Sequence, residues 1–369
     1  YDLTSTSATT TADITKKAIA ISGITASNKV YDANTNAAVD ASKAAGWIAG
    51  DALSVSATGT FDTKNVGTDK TVTLSSSYSG ADKGNYTITD QATTTADITP
   101  KGITISGITA ANKVYDAATS ATVDTTSAAG WIAGDALSVS ATGTFDTKNV
   151  GTDKTVTLSS SYSGADKGNY TITDQAATTA DITPKAITIS GITAANKVYD
   201  ATTSAAVDTT SATGWIAGDA LSVSATGTFD TKNVGTNKTV TLSSTYSGAD
   251  KGNYTITDQA ATTADITPKA ITISGITASN KVYDANTNAA VDASKAAGWI
   301  AGDALSVSAT GTFDTKNVGT NKTVTLSSTY SGADKGNYTI TDQAETTADI
   351  TPKAITISGI TASNKVYDA

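Results

Sequence analysis

The sequence contains no cysteine, methionine, histidine or arginine, and a single glutamate, Glu345, beside 33 aspartates. Without cysteine or histidine there is no disulfide framework, no thiolate or imidazole zinc site and no Ser-His-Asp or Cys-His nucleophile. Without arginine there is no bidentate clamp for phosphate or carboxylate. A net charge of −9 sets the chain against nucleic acid and anionic membrane as partners, because both require basic surface to displace counterions. The longest apolar runs are a few residues, far below the roughly 20 that a spanning helix needs, so no membrane insertion is expected in this segment. What is present is Thr, Ser, Ala, Gly and Asp, with regularly placed aliphatics that a disordered tail would lack.

Self-comparison organises the rest. Lys-Val-Tyr-Asp-Ala recurs with its tyrosine at Tyr31, Tyr115, Tyr199, Tyr283 and Tyr367, a step of 84 residues. The tryptophans Trp47, Trp131, Trp215 and Trp299 keep that step, as do Phe61, Phe145, Phe229 and Phe313 and the four prolines. The repeats are placed at 17–100, 101–184, 185–268 and 269–352. Residues 1–16 match the C-terminal strands of a preceding repeat and 353–369 the start of a following one, as in a window from a longer array. The first and fourth repeats differ only at Ala20/Thr272, Asp69/Asn321, Ser77/Thr329 and Thr93/Glu345. Differences between outer and inner pairs concentrate in Asn34 to Lys43 against Ala118 to Ser127.

Within a repeat, Leu53, Val55, Ala57, Gly59 and Phe61 alternate with Ser54, Ser56, Thr58 and Thr60. This period of two reads as a half-buried strand with a hydroxyl-rich outer face. Val72, Leu74 and Tyr78 alternate in the same way, and shorter strands are expected around Ile19, Val30, Val39, Tyr86 and Ile98. Gly, Asn and Asp mark the turns, and Asp40 to Trp47 has the composition of one helical turn. About seven strands per repeat predict an all-β chain, a tandem array of small Ig-like β-sandwiches in an extended rod. The alternative is a β-solenoid, disfavoured because no period shorter than 84 appears. The joint Ile98-Thr99-Pro100-Lys101 holds no flexible spacer, so the last strand of one repeat should run almost directly into the next.

The residues Asn28-Lys29-Val30-Tyr31-Asp32, Gly59-Thr60-Phe61, Lys64-Asn65-Val66-Gly67, Gly84-Asn85-Tyr86 and Ala96-Asp97-Ile98-Thr99-Pro100 together resemble the YDG repeat of very large filamentous-haemagglutinin-like bacterial adhesins. The resemblance covers the whole chain. It implies export, an extracellular site at the bacterial cell surface or in the biofilm matrix, and a stalk or matrix role; it carries no catalytic residues. Ala33 stands where the family name has Gly, which suggests that positive φ is not required at that turn.

Candidate sites follow from the recurring residues. Tyr31-Asp32, with Tyr115-Asp116, Tyr199-Asp200 and Tyr283-Asp284, offers an aromatic platform and a carboxylate to a sugar, or else a packed tyrosine and a turn cap. The four Trp and four Phe are read as core anchors. Asn85, Asn169, Asn253 and Asn337 sit in Asn-x-Thr glycosylation sequons. Eight aspartates per early repeat raise calcium as a ligand, yet none stand in an Asp-x-Asp-x-Asp-Gly loop, and no other cofactor is expected. Lys17, Lys29, Asn28, Asn65 and Asn85 would suit Lys-Asn isopeptide bonds if a buried acid stood beside a pair. No paired acid and base stand out, so catalysis is not expected. The sequence therefore reads as a structural stalk or fibre segment whose partners are other copies of itself. The alternative is a multivalent module for matrix polysaccharide.

Overall fold

The computed structural model describes Ser7 and residues 9–368. They form two compact units, Tyr1–Lys185 and Ala186–Ala369, each holding two all-β repeats. In the first repeat the strands are β1 (Lys17–Ala20), β2 (Thr25–Ala26), β3 (Lys29–Val30), β4 (Asn36–Ala37), β5 (Val39–Asp40), β6 (Ser54–Phe61), β7 (Gly67–Ser79), β8 (Tyr86–Thr89) and β9 (Thr93–Thr99). A five-stranded sheet runs in the order β3-β9-β7-β6-β4, and β1-β8 and β2-β5 form separate two-stranded pairs. Most neighbours are antiparallel, but β3 lies parallel to β9 and β1 parallel to β8.

Alternation decides which face is buried. Gly59 and Phe61 of β6 and Val72 and Leu74 of β7 point inward, while Ser54, Ser56, Thr58 and Thr60 face out. Gly59 is required by the packing: a Cβ there would stand 2.5 Å from Val39 Cγ2 and 2.8 Å from Val72 Cγ1. Ile98 of β9 and Ile19, Ile21 and Ile24 from the β1 end complete the core.

The sheet curls. Its edge strands, β3 and β4, are adjacent in sequence and joined by residues 31–35 alone, which limits their separation to roughly 20 Å even in extended chain. Lys29 bridges the edges: its Nζ donates to the carbonyls of Asn34 at 2.8 Å and Asn36 at 3.0 Å and sits 5.4 Å from the Phe61 ring centroid. Both edges are thus short and partly closed, which leaves little unpaired backbone for lateral association.

Three local features differ from the sequence expectation. The segment 40–47 holds no helical turn: residues 41–44 form a turn, with Ala44 N–H donating to the Ala41 carbonyl at 3.0 Å, and Ala45 bridges to Ser22; the 3-10 helix lies instead at Ala81–Asn85. Trp47, Trp131, Trp215 and Trp299 are half-buried in the loop before β6 and stand outside the core, which Phe61, Phe145, Phe229 and Phe313 do enter. Ala33, Ala117, Ala201 and Ala285 have φ of 65°, 63°, 66° and 66°. The turn after the tyrosine therefore does take positive φ, contrary to the inference drawn from alanine. A Cβ makes that conformation costly without forbidding it.

The joint is short, as the sequence suggests. Pro100 alone separates β9 from the next repeat's first strand, Lys101–Thr104. Residues 9–16 and 353–368 carry no strand.

Candidate functional site

In the first repeat the tyrosine of the recurring pentapeptide, Tyr31, directly follows β3 and is fully buried. Its hydroxyl leaves its own repeat and donates to Asp135 Oδ2 of the next one at 2.8 Å. Asp135 lies 35 residues before Tyr170, whose hydroxyl donates to the same oxygen at 2.5 Å. Lys64, in the turn between β6 and β7, donates from Nζ to Asp135 Oδ1 at 2.6 Å and lies 3.0 Å from Asp166 Oδ1. Only 2% of the Asp135 side chain is exposed, so one buried carboxylate gathers three donors from two repeats. Such charge-assisted bonds are the strong ones, and they satisfy a group that would be costly to bury alone.

Two further contacts flank this carboxylate. The rings of Tyr31 and Tyr170 meet edge to face, with centroids 5.4 Å apart and planes at 81°. Val66 N–H donates to Asn169 Oδ1 at 2.9 Å, and Asn169 Nδ2 donates to Asn65 Oδ1 at 3.1 Å and to Asp166 Oδ1 at 3.2 Å. The second unit repeats the arrangement. There Asp303 accepts from Lys232 at 2.7 Å, from Tyr199 at 2.8 Å and from Tyr338, while Asn337 holds Val234 and Asn233.

The electrostatics fix the protonation states. Burial pushes the Asp135 carboxyl up, but the bonds from Lys64, Tyr170 and Tyr31 outweigh it and hold the group below the ordinary carboxylate range. Burial and the adjacent Asp135 push the Tyr170 hydroxyl up to about 12 and raise Tyr31 as well. Hydrogen bonds to Asp135, Tyr31 and Asp166 hold Lys64 above the ordinary lysine range. A Lys-Asp amide needs a neutral amine and a protonated acid, so this site favours an ion pair over a crosslink.

The residues singled out from sequence separate at this point. Tyr31, Tyr115, Tyr199 and the Phe positions are buried, so no sugar reaches these tyrosine faces. Asp32 caps the turn, accepting from Asn34 N–H at 3.2 Å and from Lys29 Nζ at 2.7 Å; Asp116, Asp200 and Asp284 do likewise. Asn85 is exposed, but Asn169, Asn253 and Asn337 are buried. A glycan on Asn169 or Asn337 would displace the amide that binds the neighbouring repeat, so those positions are unsuited to modification in the folded array. The aspartates disperse to separate partners: Asp51 to Tyr86, Asp62 to Lys70, Asp82 to Ala52 N–H, Asp90 to Tyr78 and Asp97 to Asn28. Among the described residues no group of three or more acids could hold a metal ion. Asp69 and Asp153 have φ of 48°, and Asn237 and Asn321 follow them at 49° and 50°, a left-handed position at which Asp and Asn interchange. Lys29 and Asn28 point to different partners, Asp32 and Asp97.

Sequence reasoning carried Lys64, Val66 and Tyr86, the counterpart of Tyr170, only as parts of the family motif, and the positions of Asp135 and Asp166 only among the aspartates weighed for calcium; it did not join them into one site. Their signal was invariance among the copies, since all lie outside the variable segment Asn34 to Lys43 and its counterparts.

A tandem β-repeat protein whose signature tyrosine joins one repeat to the next is what the fold and site define. The chain belongs to the YDG domain family, which matches it four times, at residues 15–96, 99–180, 183–264 and 267–348. No curated protein matches it significantly.

Proposed function

We propose that this chain is a structural repeat region, a stalk or fibre-forming segment, of a secreted filamentous-haemagglutinin-like adhesin or biofilm matrix protein, displayed outside the bacterial cell. The observation that carries the reading is that the family's signature residue acts between repeats: Tyr31 and Lys64 of one repeat close on the buried Asp135 of the next. A chain whose invariant residues include those that hold one repeat to the next is suited to continuity along the array. In this reading each repeat is a small sandwich, with the inner face of the five-stranded sheet opposed by the β1-β8 and β2-β5 pairs. The segment is non-catalytic and needs no cofactor. Its partners are other copies of itself or matrix polysaccharide.

Immunogold labelling of cells that make the protein tests the assignment. Label on extracellular filaments or matrix is expected; label confined to the cell interior overturns it.

A further inference from the structure

The opening and closing segments of a repeat lie side by side and run the same way. In the first repeat β1 pairs in parallel with β8, with Lys17 opposite Tyr86, and β3 pairs in parallel with β9, with Lys29 opposite Ile98. The offset between partners is 69 residues at both places, and again at Asn28 and Asp97. The opening segment 17–31 and the closing segment 86–99 therefore advance in step along their length. The second and fourth repeats keep the same register.

The interval between the two short ladders is bridged as well. Ile21 N–H donates to the Thr89 carbonyl at 2.9 Å. Gln91, the one glutamine of its repeat, clasps Ile24 twice: its Oε1 accepts from the Ile24 N–H at 3.0 Å and its Nε2 donates to the Ile24 carbonyl at 2.8 Å. Asn28 clasps Asp97, its Oδ1 accepting from the Asp97 N–H at 2.7 Å and its Nδ2 donating to Asp97 Oδ2 at 3.2 Å. At the far end Tyr31 N–H donates to the Thr99 carbonyl at 2.9 Å. Gln175, Gln259 and Gln343 make the glutamine bonds in the other repeats, and Asn112, Asn196 and Asn280 the asparagine ones. Ile19, Ile21, Ile24 and Ile98 are buried along this seam.

We propose that each repeat has a mechanical function: it is a shear clamp that bears tension along the chain, and the seam between its opening and closing segments is the element that resists. The chain enters a repeat at the first residue of the opening segment and leaves it at the last residue of the closing one. Pro100 alone links Thr99 to Lys101, so tension passes to the next repeat without a slack tether. Within the first repeat that tension pulls 17–31 backward and 86–99 forward, and the two can part only by sliding past each other. In this direction the bonds of the seam are loaded together, whereas opening from one end breaks them in turn. Each bond is modest by itself; loading them together raises the barrier that governs forced unfolding. Gln91 and Asn28 carry the seam across the stretch where the backbone ladder is interrupted. The proposal stands on bonding inside one repeat and does not depend on where the array is displayed.

The test pulls the full chain in optical tweezers through pairs of introduced cysteines; with no native cysteine, the handles attach at those sites alone. Ala18→Cys with Thr99→Cys loads the seam of the first repeat lengthwise, and Ala18→Cys with Lys83→Cys peels the same seam from one end; all three positions are exposed. At one pulling speed the lengthwise rupture force should exceed the peeling force about threefold. Asp135→Ala takes from Tyr31 and Lys64 their common acceptor and so removes the main hold of the neighbouring repeat; the excess should persist. Gln91→Ala should lower the lengthwise force by about a third and leave the peeling force, set by the first pairs at Lys17 and Ala18, unchanged. Equal forces in the two directions, an excess that vanishes with Asp135→Ala, or a lengthwise force that Gln91→Ala does not lower would each overturn the proposal.

Discussion

Replacing Ala33, Ala117, Ala201 and Ala285 by glycine should stabilise the protein, although alanine to glycine is ordinarily a loss. All four alanines have φ between 63° and 66°, where a Cβ crowds the following carbonyl at about 1–2 kcal/mol per residue. Glycine removes that strain but loosens the unfolded chain by roughly 0.4–1 kcal/mol. Loss of the methyl, half-buried at Ala33, Ala117 and Ala201 and exposed at Ala285, costs up to about 0.4 kcal/mol more. The balance favours glycine by about 0.5 kcal/mol per repeat, near 2 kcal/mol for all four if the sites are independent. Whether the melting unit is one repeat or a pair, the thermal midpoint of the fourfold variant should rise by about 2–4 °C. Differential scanning calorimetry reads it directly, with Ala57→Gly in β6 as the control that should lower the midpoint. A midpoint that falls for Ala33→Gly as it does for Ala57→Gly would refute the strain argument.

Other outcomes follow from the junction and the core. Tyr31→Phe removes one donor from the buried Asp135 carboxylate, a hydrogen bond to a charged group worth about 1.5–3 kcal/mol. The loss should appear in denaturant melts as weaker coupling between the first two repeats, and unchanged melts would contradict the assigned role. Asp135 and Asp303 have folded pKa values below the unfolded value. Their stabilisation is therefore present above the ordinary Asp range and is lost as pH falls below about 4. Tyr170 and Tyr338 are raised to about 12, so their contribution is present below about 10 and lost as pH rises from there toward 12. Phenolate absorbance should show part of the tyrosine set titrating only at that upper end, and a single normal titration would contradict the burial of the lock. Gly59→Ala forces a Cβ against Val39 and Val72, an overpacking cost of about 1–3 kcal/mol. An unchanged urea midpoint would show that the sheet yields more readily than its contacts suggest.

The strands were legible because a half-buried sheet writes its period of two into the sequence: β6 and β7 alternate aliphatic and hydroxyl residues over most of their length. The short joint was legible because Pro100 and its neighbours leave no room for a spacer. The lock was not, for a reason specific to repeats. Asp51 and Asp135 are the same position in successive copies, so nothing in the sequence distinguishes a Tyr31 partner within the repeat from one 84 residues further on. Tyr31 reaches across 104 residues to the second of these. Trp47 misled because size alone suggested a core anchor, whereas the compact residues Val72, Ala96 and Ile98 fill the space beneath the curled sheet. At Ala33, alanine was read as excluding a conformation that it only penalises.

The recurring pentapeptide Lys29-Val30-Tyr31-Asp32-Ala33 concentrates three tasks at one end of the sheet. Lys29 bridges the β3 and β4 edges through the carbonyls of Asn34 and Asn36. Asp32 holds that lysine and caps the turn that Ala33 makes at positive φ. Tyr31, placed by that closure, aims its hydroxyl at Asp135. The donor that joins two repeats therefore sits on the segment that closes one of them. A perturbation of the curl shifts Tyr31, and a broken junction releases the residue that directly follows β3. Stability within a repeat and coupling between repeats share the same few side chains, which accounts for their constancy while Asn34 to Lys43, lying just beyond them, varies among copies.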